Sequence, residues 1–402
     1  LNDEPGWAQK RSLEQIPTVS RLQKQLDRET VLLSYHLSGT ELVTLFISSK
    51  RFDYKKAGTD LPFFNAIMAL KNSLYNSSPS QRYDGELTAS SLYAKLIGPF
   101  SKELEGIKRL IIIPDDELNY LPFEALQDEN KKYLVEKFSL QYQYSTAFFG
   151  KNNKAKQRGK ENLAFAPFTQ EGSGASTDSF SILPASKDEV SGLPGKLFTG
   201  KDATRENFLK SANHYSTIHL ATHASVDNED PSRSFIVFYP VTAEHNLYAK
   251  EIAGLRLDST DLVILSACET GAGQLVKGEG LMSLSRAFAY AGCPNVIPSL
   301  WKAEDNTTAF LTQRLHYYLD KNYTKDRALQ QAKIDLLGNK EGDPRFRSPN
   351  YWAHLIFIGN YEPAPSSSGR EWIFVVIGTL FLVAGFFITK SLLARNKQAR
   401  FP

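Results

Sequence analysis

The stretch 261–273, DLVILSACETGAG, decides how the rest of the chain is read. Its run Leu262, Val263, Ile264, Leu265 is apolar without interruption, which suits a strand buried on both faces of a parallel sheet. Gly271 and Gly273 close the stretch, and Ser266, Ala267, Cys268, Glu269 and Thr270 stand between. A thiol in that position lies at a strand's carboxyl end, where open α/β sheets place their ligands. A second apolar segment, 215–220, runs into Ala221, Thr222 and His223. The sequence therefore predicts an imidazole and a thiol at the ends of two strands, 45 residues apart.

Outward from there, strands and helices alternate. Strands are expected at 31–36, 41–48, 108–113, 163–165, 196–199, 295–300 and 355–358, and the segments 120–126, 138–144 and 234–239 carry no assigned type. Helices are expected at 12–26 with Ser12 as N-cap, at 63–75, 91–97, early in 186–210, from 204, and at 248–253. The segment 279–291 carries Leu281, Leu284, Ala287, Phe288 and Ala291 at helical spacing, and 304–319 and 326–337 complete the helices. This alternation predicts a doubly wound sheet flanked by helices. Asp115 and Asp116 after the strand at 108–113 read as a turn signal, with a ligand site at the strand end as the alternative. The basic stretch 151–160, KNNKAKQRGK, lacks the interleaved aromatics of a nucleic-acid platform and reads as a boundary loop. The segment 169–181, rich in Ser, Gly and Thr, reads as a surface loop.

Composition excludes several classes. With 42% hydrophobic and 23% charged residues over 402 positions, the chain is globular in make-up. A net charge of +3 is too small to argue for nucleic acid. The two cysteines, Cys268 and Cys293, make no disulfide framework. No Cys/His cluster has zinc-ligand spacing, and KGEG lacks the GK[ST] of a phosphate-binding loop, so neither metal nor cofactor is expected. The chain opens on Leu1, so 1–11 is read as the end of an upstream region. At the other end, PAPSSSG at 363–369 falls in a linker, taken as 362–371. The uncharged run 372–389 is near the lower length limit for a spanning helix, with Trp372 at one interface. The tail 390–402 holds Lys390, Arg395, Lys397 and Arg400 and no acid. A single-pass membrane anchor is expected at 372–389.

HLATHA, LSACETGAG, KGEGLMSLSRAFAYAG and SLW together closely resemble the CHAT domain, a caspase-like peptidase domain found mostly in bacteria. The resemblance extends to SLEQI…LSYHL, RLIIIPDDELNYLPFEAL and PNYWAHLIFIGNY, and spans roughly 12–361. It implies a caspase-like, mostly parallel sheet flanked by helices, with 12–150 as an N-terminal α+β half and 161–361 as the catalytic half. The interval between His223 and Cys268 is near the caspase interval of roughly 50.

Singly, Cys268 reads as a core cysteine and His223 as a hydrogen-bonded core histidine. Together, in that family context, they read as a catalytic dyad: a thiol whose pKa falls beside an imidazolium. Backbone N–H groups of Ala224 and Cys268 are the expected oxyanion donors, since Gly271 and Gly273 let the chain turn beyond the strand. Many family members have glycine where Ala224 stands. Asp227, Glu269 and Asp305 form a candidate acidic pocket for a basic substrate residue, or are loop residues in water. Cys293 reads as structural, His219 as equally suited to the core, and Arg286 as a surface or structural charge.

The expected activity is a membrane-anchored cysteine endopeptidase that cleaves a partner protein. The alternatives are a catalytically silent scaffold that binds protein partners, and hydrolysis of a non-peptide acyl substrate by the same pair. The resemblance also implies a tetratricopeptide-type sensor region upstream. The expected setting is a bacterial cell membrane. The basic tail favours a catalytic domain outside the cytoplasm, with a cytoplasmic tail-anchored form as the alternative.

Overall fold

The computed structural model describes residues 16–75, 83–149, 161–169, 181–227, 229–241, 244–266 and 280–363. The chain divides into two compact units, Leu1–Tyr361 and Glu362–Pro402. The first unit opens with α1 (Val19–Gln25), β1 (Thr30–Leu37), β2 (Glu41–Ser48), β3 (Phe52–Gly58), α2 (Leu61–Tyr75), α3 (Glu86–Leu96), β4 (Arg109–Ile113), α4 (Leu134–Lys137) and β5 (Ser139–Tyr142). Next come β6 (Asn162–Ala166), α5 (Ser186–Val190), β7 (Gly195–Thr199), α6 (Arg205–Ser211), β8 (Thr217–Leu220), β9 (Ala224–Ser225), β10 (Phe235–Val237), β11 (Asn246–Tyr248) and α7 (Ala249–Ala253). The chain then runs through β12 (Leu262–Leu265), α8 (Gly280–Tyr290), β13 (Val296–Pro298), α9 (Asp305–Asp320), α10 (Lys325–Gly338) and α11 (Pro349–Trp352).

Two five-stranded sheets carry the fold, in the orders β3-β2-β1-β4-β5 and β13-β12-β8-β6-β7. The second is parallel throughout, and the first is parallel from β1 to β5. That arrangement explains the sequences of β4 (RLIII) and β12 (LVIL). Every residue of both is buried, so neither needs a polar face. The segment 355–358 stitches the two sheets. Ile358 bridges to Tyr142 in parallel and to Val296 in antiparallel sense, and Tyr142 N–H donates to Phe357 O at 2.7 Å. The sequence reading expected an ordinary last strand there. The segment makes isolated bridges instead, because it lies between two strands of different halves.

The halves share one core. Val31, Leu33 and Leu110 belong to the same apolar cluster as Ile264, Trp301, Leu311 and Leu329. Two buried ion pairs cross the seam to α10. Arg109 Nε and Nη2 donate to Asp326 at 2.6 and 3.1 Å, and Ser139 Oγ donates to the same carboxylate at 2.7 Å. Lys333 Nζ donates to Glu124 Oε1 at 3.2 Å, while the Tyr142 hydroxyl donates to Glu124 Oε2.

Several expectations change. The first helix starts at Val19 with Thr18 as its cap, its Oγ1 accepting from Arg21 N–H, so Ser12 is not its N-cap. The reading missed β3, whose sequence FDYKKAG is charged and mostly exposed, as edge strands are. It also missed the small sheet β11-β10-β9. Asp115 is structural: it accepts from Leu37 N–H at 2.8 Å. The expected membrane segment 372–389 lies outside the described residues. Among the described residues no helix is long and apolar enough to cross a membrane.

Candidate active site

Parallel pairing brings several strand ends to one edge. Leu265 of β12 and Phe165 of β6 both sit level with Leu220 of β8. Just past that level, Ser266 N–H donates to Leu220 O, Ala221 N–H to Phe165 O, and Ser299 N–H to Leu265 O. His223 therefore emerges beside Ser266 and Ser299. Its segment is held further by Thr222 Oγ1, which donates to Val237 O at 2.6 Å, and by Val237 N–H, which donates to His223 O at 2.9 Å. That last bond marks Ala224↔Ile236 as a wide antiparallel pair, so the β9–β10 ladder does not use the Ala224 N–H.

The His223 ring is buried and oriented. Its Nε2 lies 2.7 Å from Ser181 O, and Phe168 packs on it at a centroid distance of 4.9 Å. A carbonyl only accepts, so Nε2 carries the proton, and in the neutral ring Nδ1 is the basic nitrogen. The carbonyl is itself anchored, because Leu183 N–H, two residues on, donates to Phe168 O at 2.8 Å.

A cavity of about 30 Å³ opens beside the ring, with room for a water or two. His223, Glu189, Ser266, Asp305, Lys302 and Thr308 are among its lining residues. A larger groove of about 390 Å³ lies alongside and shares Lys302, Ala303 and Asp305, so Asp305 stands at the junction. Asp305 opens α9, whose cap is Glu304, with Oε2 accepting from Thr307 N–H at 2.8 Å. Burial pushes the Asp305 carboxyl above its ordinary range, and Lys302 opposes it.

Behind the cavity runs a buried polar chain. Ser266 Oγ donates to Glu189 Oε2, His219 Nε2 lies 3.4 Å from Ser266 Oγ, and His219 Nδ1 lies 3.1 Å from His316 Nε2. His219 Nε2 is also 3.3 Å from Glu189 Oε2, a distance that would suit an ion pair. Burial argues otherwise. It drives both imidazoles down to about 3 and the Glu189 carboxyl up to about 8, so near neutrality the contact joins uncharged groups.

Of the residues singled out from sequence, His223 and Asp305 meet at one cavity. Asp227 does not line it; its Oδ1 accepts from Glu229 N–H and Asp230 N–H in the β9–β10 connection. Cys268, Glu269, Gly271 and Gly273 lie outside the described residues. Cys293 is buried, its Sγ 3.3 Å from Asn295 O, and burial pushes its thiol up to about 12. Arg286 lies over the Tyr144 ring at 5.3 Å. Sequence reasoning missed Ser181, Glu189, Ser266 and His316. Only Ser266 carried a signal, as the first polar residue after an apolar run; a backbone carbonyl and a helix acid have none.

A family model described as CHAT domain matches residues 86–360, more than half of the chain. The match begins later than the resemblance read from sequence and leaves β1 to α2 outside it. Two curated relatives are Tetratricopeptide repeat protein 28 of Mus musculus, 23% identical over 67% of this chain, and its Homo sapiens counterpart, 22% identical over 74%. The chain spans only 13% and 14% of their lengths. A chain in the crystal structure of the Saccharomyces cerevisiae separase–securin complex aligns with a TM-score of 0.47 at 10% identity, over 85% of this chain and 31% of that one.

Proposed function

The chain belongs to the CHAT domain family, and on that premise we propose that it is a cysteine endopeptidase working through His223 and Cys268. The observation that carries this reading is the grip of the Ser181 carbonyl on His223 Nε2, because it fixes the tautomer a thiol needs. With Nε2 as donor, Nδ1 takes the proton from Cys268 Sγ. The thiolate attacks the substrate's carbonyl carbon, and the oxyanion draws on the N–H groups of Ala224 and Cys268. The leaving amine takes the proton back from Nδ1–H, and water then frees the acyl group from sulfur. The Ala224 N–H, outside the β9–β10 ladder, suits its part.

Asp305, at the junction of cavity and groove, favours a basic residue on the amino side of the scissile bond. Glu269 is proposed as a second acid of this pocket. Asp227, tied into its own turn, is the weakest member of the set.

Anchoring through 372–389 and control by an upstream repeat region complete the proposal. The uncharged run supports the first, and the relatives named for tetratricopeptide repeats support the second. Deleting 372–389 should move the protein from the membrane to the soluble fraction; an unchanged distribution refutes the anchor. A silent scaffold is the second reading, favoured by the small volume beside His223. A peptidyl thiol-reactive probe separates the two. It should label Cys268 in the native chain, and His223→Ala should slow labelling and cleavage by about 10³-fold or more. Cleavage that survives Cys268→Ala refutes the assignment of the nucleophile.

A further inference from the structure

The mechanism above uses neither Glu189 nor the histidines behind it, yet Glu189 lines the same cavity as His223. A single direction of donation runs through the chain it terminates when the Ser266 hydroxyl is the donor to Glu189. Ser266 gives its hydroxyl proton to Glu189 Oε2, so its Oγ must accept from His219 Nε2–H, and His219 Nδ1 must then accept from His316 Nε2–H. Three hydrogen bonds thus run one way, from α9 through β8 and the end of β12 to α5. Ser266 follows the last residue of β12 and precedes Cys268 by two positions.

We propose that Glu189 is a positioning residue of the site: its carboxyl clamps Ser266 and so fixes the strand end from which the proposed nucleophile departs. This rests on the peptidase reading. Two carboxyl groups, Glu189 and Asp305, share the cavity wall, and two like charges there would repel. A protonated Glu189 removes the repulsion. The titratable groups facing Glu189 are His219 from β8, His316 and Asp305 from α9, Lys302 before α9 and His223 after β8; β6, packed on α5, contributes none.

The test is the alkylation rate of Cys268 by iodoacetamide against pH, in the full chain, with Cys268→Ala as the blank for Cys293. Glu189→Ala and Ser266→Ala should each slow the reaction at pH 7 at least about tenfold, the scale of a lost buried hydrogen bond. Glu189→Gln retains an oxygen for Ser266 and a donor, so it should stay within about threefold of wild type. It should also lack the second inflection expected of wild type near pH 8, the value to which burial raises Glu189. A merely structural residue would leave that inflection in place. Circular dichroism identifies a variant that has not folded; if Glu189→Ala is one, Ser266→Ala and Glu189→Gln still decide. The proposal is overturned if Ser266→Ala and Glu189→Gln follow the wild-type profile while His223→Ala slows the reaction, an outcome that leaves the dyad intact. It is also overturned if Glu189→Gln loses as much rate at pH 7 as Ser266→Ala. If wild-type Cys268 reacts as an ordinary thiol and His223→Ala changes nothing, the dyad reading fails, and the clamp falls with it.

Discussion

Two buried polar regions of this protein are built on opposite rules. Along α10, Glu124 and Asp326 each meet a cation, Lys333 and Arg109, at ion-pair distance. Behind the candidate site, Glu189 meets, among the described residues, a serine and a histidine that burial keeps neutral. In the first region charge compensates charge, and the pairs hold the N-terminal half against α10. In the second the charges are suppressed, and what remains is a hydrogen-bonded chain aimed at a cavity. Burial alone therefore does not mark a functional carboxyl. The proposal for Glu189 rests instead on a buried carboxyl with no counterion among the described residues, beside an open space and an oriented imidazole.

The sharpest way to break this contrast is Lys333→Ala. It strands the Glu124 carboxylate and should cost about 3–5 kcal/mol in urea unfolding. Lys333→Met combined with Glu124→Leu should cost much less than the single change. Equal costs would mean that pairing is not what compensates the buried charge.

The next test is pH. His219, His316 and His354 are all depressed to about 3 in the folded chain, against about 6.5 unfolded. The unfolded state therefore takes up protons first on the acid side. The stability these rings contribute is full above about pH 6.5 and is lost as pH falls toward 3. Glu189 has the opposite sense. Raised to about 8, it contributes fully below its unfolded value, and that contribution is lost as pH climbs from about 4.5 to 8. Each group contributes on the order of a few kcal/mol. Melting temperatures should fall on both sides of a maximum where these windows overlap, between about pH 4.5 and 6.5, and Glu189→Gln should flatten the alkaline limb alone. An unchanged alkaline limb would mean that Glu189 is already ionised at neutral pH.

A smaller effect is expected at Ser139, one of the donors to Asp326. Ser139→Ala should cost about 1–2 kcal/mol, because the two bonds from Arg109 remain. Smallest of all, Cys293, with its thiol pushed up to about 12, should stay unlabelled by thiol reagents in the native protein. Labelling of Cys293 without unfolding would show that the core behind β12 opens.

Regular elements were the legible part of the fold. LVIL announced a doubly buried strand, RLIII announced a strand, and the apolar spacing at 279–291 announced α8. Where pattern and environment part company, reading failed. β3 is charged because it is an edge strand, and 355–358 bridges two sheets without forming a ladder of its own.

The sequence by itself determined the parallel strand carrying His223, its neighbour leading to Cys268, and membership of the family that 86–360 matches. These are local, since a few adjacent side chains fix each. Only the tertiary structure decided that a backbone carbonyl at Ser181 sets the imidazole's tautomer and that Glu189, Ser266, His219 and His316 form one chain. Those partners come from five separate segments, and a hydrogen bond acts over about 3 Å of space. Distance along the chain carries no record of it.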